Sequence, residues 1–442
     1  MRTVIKNAIV VTMNEKREIH NPGFVMFLDD CITHIGEMKN LPQEAESTDI
    51  IQVDAKGAIV MPGMVNPHTH MGMIPFRGLG DDCKDRLRTF LFPMEQKAMD
   101  EELVYHSTRY AAGEMLLSGV TTVYDMYYYE EEAAKAMDEM GIRGIAAQTI
   151  ITDGACDFKD PFKAMEYGER LIRNYKSHSR ISGAIAPHGT STCEEEALKV
   201  AYGINKSLGS VFSLHAAEME YEMDYFRRTG DKTPIGYLDR IGVLRENTLL
   251  AHCIHMTRED LLLLKERGAK VAHCIGSNTK AAKGVAPVRE MRELNLSVGL
   301  GTDGPASGNT LDLFTQMKLF ADFHKNETRD RSVFPAEQIV ACATIEGART
   351  LGLSQITGSL ELGKQADLVL IETQSMNMFP IYDPYSTLVY SASPFNVKEV
   401  YIAGVCLVKN KKLILSNQEK IKKELRSKME RTAFKDYMKI TD

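Results

Sequence analysis

What the 442 residues lack narrows the field first. No apolar run reaches the roughly 18 to 20 residues that a membrane-spanning helix needs, so contact with a membrane is not expected. Positive charge is not in excess: 53 Lys and Arg against 60 Asp and Glu give a formal charge of −7. The electrostatic attraction behind non-specific nucleic-acid binding is therefore missing, and a small-molecule partner is expected. The eight cysteines (Cys31, Cys83, Cys156, Cys193, Cys253, Cys274, Cys342, Cys406) form neither a CxxC pair nor a dense framework. Reduced thiols in a cytoplasm fit that scatter best. The opening "MRTVIKNAIVVTM" alternates like a strand and lacks the charged head, apolar core and cleavage site of an export leader.

What is present is the balance of a soluble globular chain, 26% charged and 44% hydrophobic, long enough for one large domain or a large and a small one. From about residue 59, short β-branched runs alternate with longer amphipathic stretches, the pattern of parallel strands covered by helices. Eight strand ends can be placed, near His70, Asp125, Ile151, His188, His215, His252, His273 and Asp303. Helix ends are legible between them. Asp100 is positioned to cap a helix that stops at Gly119, and Thr257 with Asp260 reads as a capping box closed by Gly268. Eight such units predict an α/β fold with a (β/α)8 TIM-like barrel over 59–356. Residues 1–58 and 357–442 change to short strands and turns, which predict a small β-sandwich built from both chain ends, with the barrel inserted in it. From about Asn417 the text becomes a charged helical tail, read as a solvated face.

The metal-capable side chains gather at the strand ends, the rim on which barrel enzymes build their sites. His68 and His70 follow a buried run two residues apart, so both imidazoles project to one face. His215 ends "SVFSLH", with Glu218 three residues on, and Asp303 ends "LSVGLGTD" immediately before a glycine. His68, His70, His215 and Asp303 together offer three nitrogens and one oxygen, a mixed set suited to one zinc or another divalent ion such as Fe2+, with room for water. Such an ion lowers the pKa of bound water from about 15.7 towards about 7 and makes hydroxide available for attack on an amidine-like ring carbon. Glu218 is then placed to shuttle protons, while His252 and Asp303 orient the nucleophile. His188, closing the fourth strand in "AIAPHGTST", is read as a substrate contact; His255 and His273 are read as ordinary packed histidines. Two-metal barrel hydrolases usually bridge their ions with a modified lysine on that fourth strand, and "GAIAPH" contains none, which favours a single ion. The zinc deaminases built on an HxE and a PCxxC pair are excluded because neither pattern occurs.

Ten segments in consecutive order carry a resemblance that spans nearly the whole chain: "MPGMVNPHTH", "FRGLGDD", "FPMEQ", "LSGVTTVYDM", "APHGTSTC", "LHAAE", "AHCIH", "SNTKAAKGVAPV", "GTDGPASGNTLDLF" and "GSLELGKQADLVLI". They resemble the amidohydrolase superfamily, in its branch of methylthioadenosine/S-adenosylhomocysteine deaminases and triazine hydrolases. The resemblance implies His68, His70, His215 and Asp303 as metal ligands and Glu218 with His252 as the proton-handling pair. It also implies that Glu95 of "FPME" meets sugar hydroxyls and that His188 meets the purine. The expected reaction is hydrolytic deamination of a ring amine on a purine nucleoside or related heterocycle, with water as co-substrate, in a homo-oligomer. Guanine, 8-oxoguanine, pterin or aminotriazine deamination and triazine chloride displacement remain alternatives, since one hydroxide serves any good leaving group. A non-catalytic barrel is the alternative of another class, and it is disfavoured by the retention of all four ligands with Glu218. Two departures bear on substrate. Tryptophan is absent, although related deaminases place one before the "FPxE" segment, and "IAAQTIITDG" lacks the arginine they use after the third strand, leaving Arg86 or Arg88 to take that place.

Overall fold

The computed structural model describes residues 2–438. By internal contacts it divides into two compact units, one of 1–66, 114–122 and 312–415, the other of 67–113, 123–311 and 416–442.

The first unit holds a nine-stranded mixed sheet drawn from both chain ends. Ile59–Pro62 lies parallel to Arg2–Val11 on one side and antiparallel to Leu368–Ile371 on the other. Alternation along these strands sends Val10, Val25, Phe27, Val60, Leu368 and Leu370 into one apolar cluster. Full burial of such a side chain contributes about 1.5 to 3 kcal/mol. A tight corner on this sheet requires glycine: Gly404 has φ +72°, and a Cβ there would collide with the carbonyl oxygen of Asp29. Gly404→Ala is expected to lower stability by about 3 kcal/mol, through positive φ and a clash with backbone that cannot swing away. The urea unfolding midpoint measures this.

The barrel strands run Met64–Thr69, Val120–Tyr127, Arg143–Ile150 and Ile181–Pro187 in one four-stranded set, and Phe212–Ala216, Thr248–His252, Lys270–His273 and Val298–Leu300 in a second. A parallel bridge between Gly189 and His215 joins the sets at one seam. At the other seam the amide of Asp303 donates to the carbonyl of His68 at 3.1 Å. The ring of eight closes on itself, and the strand ends match the sequence expectation to within three residues. Val120–Tyr127 and Arg143–Ile150 are buried at every position, which is why their text is apolar without strict alternation. The Asp100 carboxylate accepts from the amide of Leu103 at 2.8 Å, and the Thr257/Asp260 box with Gly268 at φ +71° stands as read.

The C-terminal tail differs from its reading as a solvated face. Its helix Gln418–Met429 buries Ile421 and Leu425, and the following turn buries Phe434 edge-on to Phe76, with ring centroids 4.9 Å apart. Its charges are also engaged, Glu424 with Arg109 at 2.7 Å and Lys428 with Glu102 at 2.6 Å. A thin apolar stripe within a strongly charged helix hid this packing. Among the described residues no helix is long and apolar enough to cross a membrane.

Candidate metal centre and active site

His68 and His70 leave the first barrel strand on the same side, with ring centroids 4.8 Å apart. His215 from the fifth strand stands 4.9 Å from His68 and 5.4 Å from His70 by the same measure. Asp303 completes the group: its Oδ1 is 3.1 Å from His70 Nε2 and 3.8 Å from His68 Nε2. Two overlapping triads share His68, namely His68–His70–Asp303 and His68–His215–His252, and in each the donor atoms lie within 4.8 Å of one another. All five residues are buried.

Outer hydrogen bonds aim these rings. His70 Nδ1 donates to the carbonyl of Met126 at 2.5 Å, and His215 Nδ1 donates to the carbonyl of His188. Each bond fixes the tautomer that turns an Nε2 lone pair to the centre, the usual support of a metal-binding histidine. The strand ends also hold unusual backbone, with φ +57° at Asp303, +51° at Ala217 and +72° at His252. Such conformations cost about 1 to 3 kcal/mol each and collect at functional sites. The glycine after Asp303 has a local reason, because a Cβ on Gly304 would press on His70 Cβ at 3.1 Å.

Electrostatics separate the members of the cluster. Burial, then the neighbouring imidazoles, push His68 and His215 well below the usual histidine range. Burial opposes charge on His70 as well, but the Asp303 carboxylate outweighs it and raises His70 to about 9. Asp303 is held far down despite its burial, chiefly by the bond to His70. Three imidazole nitrogens and an ionised carboxylate, all dry and already aimed, are a donor set that fits a divalent cation.

Around this point lies a cavity of about 500 Å3 lined by His70, Glu95, His188, His215, Glu218, His252 and Asp303, among others. Glu218 Oε1 is 3.5 Å from His252 Nε2, and His252 Nδ1 is fixed by Asn278 Oδ1 at 2.8 Å. Burial would raise the Glu218 pKa, but His252 and Lys283 together hold it well below the ordinary carboxylate value. Glu95 sits in the helix Phe92–Ala98 and accepts from the Tyr127 hydroxyl at 2.7 Å. Burial pushes its carboxyl up to about 7. His188 is fixed by Thr192 Oγ1 at 3.0 Å and meets the edge of Phe92; burial takes it down to about 4. Phe92, Tyr127, Tyr128 and Tyr221 supply the aromatic surface of a cavity without tryptophan.

Of the residues expected at the site from sequence, all but His68 line this cavity; His68 is fully buried beside His70 and His215, and His255 and His273 are not among the lining residues either. Of the two arginines left open, Arg86 is committed to the carbonyls of Phe76, Leu79 and Ala306 and to Asp81 at 3.2 Å. Arg88 lies over the Tyr221 ring, 4.6 Å from its centroid, and lines the cavity. Sequence reasoning missed Lys283, Asn278 and Tyr127, which contact Glu218, His252 and Glu95 respectively. The only signal for the first two was their place in "SNTKAAKGVAPV", a polar segment following a strand end. Also missed was Asp125, whose Oδ1 accepts from the amide of Met71 at 2.7 Å, just after His70.

Comparison with known proteins agrees with this geometry. The chain is 34% identical to the 5-methylthioadenosine/S-adenosylhomocysteine deaminase 1 of Syntrophus aciditrophicus (strain SB), over 97% of each chain. It is 36% identical to a 5'-deoxyadenosine deaminase of Methanosarcina barkeri, over 95% of each. A crystal structure of an adenosine deaminase from Xanthomonas campestris with bound zinc superposes with a TM-score of 0.93 at 27% identity, covering 97% of this chain and 98% of that one. Residues 59–407 match the model of the amidohydrolase family, and it is to this family that the chain belongs.

Proposed function

We propose that this chain is a hydrolytic deaminase of 5'-modified adenosines, the class named by methylthioadenosine, S-adenosylhomocysteine and 5'-deoxyadenosine, working with one zinc-class ion in the cytoplasm. The observation that carries the reading is one cavity lined by two unlike groups: Glu218 and His252 beside the His/Asp cluster, and the Glu95–Tyr127 pair within the same walls. The first group suits an amine-bearing ring carbon, the second the hydroxyls of a sugar. The similarity to deaminases along the full length supports the same substrate class. The chemistry is assigned to the barrel, 59–356.

A cation held by His68, His70, His215 and Asp303 supplies acidified water and a Lewis acid at the reacting carbon. Glu218 takes a proton from water and passes it to the ring nitrogen as the new C–O bond forms. His252, whose Nδ1 donates to Asn278 Oδ1, turns its Nε2 lone pair to the cavity and accepts a hydrogen bond from the attacking water, which orients it. The second proton of that water then moves by way of Glu218 to the amine, the C–N bond breaks, and ammonia leaves with an oxo ring as the other product. His188, neutral at physiological pH, bonds the purine, and Glu95 bonds the ribose.

The direct test is ammonia release from a panel of methylthioadenosine, S-adenosylhomocysteine, 5'-deoxyadenosine, adenosine, guanine, 8-oxoguanine, pterins and aminotriazines with the zinc-loaded protein. The 5'-modified adenosines should give the highest kcat/KM. Silence across the panel, or chloride release from a chlorotriazine in place of ammonia, would overturn the reading. A second prediction follows from Glu95. Its carboxyl ionises near pH 7, and the ionised form accepts ribose hydroxyl protons better, so KM for nucleosides should fall as pH rises from 6 to 8. Glu95→Gln should raise nucleoside KM about tenfold, the loss expected for a charged hydrogen bond, and flatten that pH dependence. Steady-state KM across the pH series measures both effects.

A further inference from the structure

Lys283 belongs to none of the roles assigned so far, yet its ammonium contacts Glu218 Oε1, the same oxygen that faces His252. The loop that delivers it is shaped for the purpose. After the helix Ile275–Lys280 the chain takes positive φ at Ala282 (+54°) and Gly284 (+121°), on either side of Lys283. The amide of Lys283 donates to the carbonyl of Asn278 at 2.9 Å, closing the turn. The side chain is then only 20% exposed and lines the cavity. One short segment therefore grips both proton-handling residues, Asn278 the far nitrogen of His252 and Lys283 the near oxygen of Glu218.

Stability explains this arrangement poorly. A half-dry ammonium–carboxylate pair loses most of its Coulomb attraction to desolvation. A glutamate, by contrast, has three side-chain torsions, and a proton carrier must keep one oxygen within about 3 Å of two successive partners. The ammonium can do this work because its three donors let it stay bonded while the carboxylate turns from water to ring nitrogen.

We propose that Lys283 is a positioning residue for the deamination, holding Glu218 Oε1 beside His252 so that the carboxylate is aligned for both proton transfers. This inference rests on the deaminase reading, and the two fail differently. A wild-type enzyme that releases no ammonia removes the reading, and the inference with it. An active wild type whose turnover ignores Lys283 removes the inference alone.

The experiment is a double-mutant cycle on the zinc-loaded full chain, with K283M, E218Q and both together, and K283R as the conservative variant. K283M should lower kcat about 10- to 100-fold with KM within about threefold of wild type and unchanged zinc content. K283R should recover most of the lost kcat. Adding K283M to E218Q should cost nothing further, because a residue that acts through Glu218 has nothing left to position. A K283M kcat within twofold of wild type, losses that multiply in the double variant, or a K283R as slow as K283M would each overturn the proposal. If K283M does not fold, K283Q is held to the same criteria; failure of both to fold would assign Lys283 to structure and overturn it as well.

Discussion

Asp303→Ala is expected to remove metal and turnover together. Bound zinc should fall from about one ion per chain to a small fraction, and kcat/KM should drop by about 10^4 or more, because the group that acidifies water departs with the ion. Asp303 is the single anion in the donor set. It balances the cation's charge in a buried site, and its Oδ1 is 3.1 Å from His70 Nε2. Alanine leaves three neutral imidazoles, and burial with mutual repulsion already disfavours positive charge on His68 and His215. A cation placed there would meet the same penalty with no carboxylate to offset it. Zinc per chain by elemental analysis and ammonia release on the same preparations check the prediction. A variant that keeps full zinc and activity would remove Asp303 from the centre.

The pH dependence of metal binding has a definite sign. Without a cation the Asp303–His70 pair holds a proton, with His70 raised to about 9. Loading the ion expels that proton, since a coordinating imidazole must be neutral. Affinity should therefore weaken as pH falls below 9, by about tenfold per pH unit for the one proton released. Competition with a chelator between pH 6 and 9 measures the slope.

Glu218→Gln is the second large expected effect, and it separates proton transfer from metal binding. Glutamine fills the same volume and bonds at the same atoms, but it cannot take a proton from water or give one to a ring nitrogen. Turnover should fall about 10^3-fold, within the range for loss of a general acid–base. Zinc should stay at the wild-type level, because Glu218 lies beyond the four donors, with Oε1 toward His252 and Lys283. Glu218 is also tied at its backbone, its amide donating to Glu222 Oε2 at 3.0 Å. The substitution therefore leaves the loop in place. A substrate analogue without a leaving group should bind the variant as it binds wild type. Loss of zinc in E218Q would instead place this carboxylate among the ligands.

The parts legible in the sequence are those that depend on neighbours along the chain. A two-residue spacing forces His68 and His70 to one face of a strand. Apolar runs eight times repeated mark the barrel, and most of them announce their end by a polar residue at the rim. Cap residues such as Asp100 and Thr257 act within three or four positions. For these, local backbone geometry and the period of burial are sufficient, and the four residues proposed to hold a cation could be named without coordinates. The tail shows where that logic thins: Ile421, Leu425 and Phe434 are a narrow apolar minority among charges, and their burial depends on what packs beside them.

Other features were settled only by closure of the barrel. Lys283 and Glu218 are 65 positions apart, and nothing in the text of either loop states that their side chains share an oxygen's reach. The same holds for Asn278 with His252 and for Tyr127 with Glu95. The direction of a loop side chain follows from turns at positive φ, such as those flanking Lys283, and from whichever surface the neighbouring strand end presents. By itself the sequence determined which residues could bind a cation and carry protons, because strand periodicity is a local property. The tertiary structure alone decided which lysine, asparagine and tyrosine hold those residues in place, because such contacts come into being only when distant strand ends are brought around one axis.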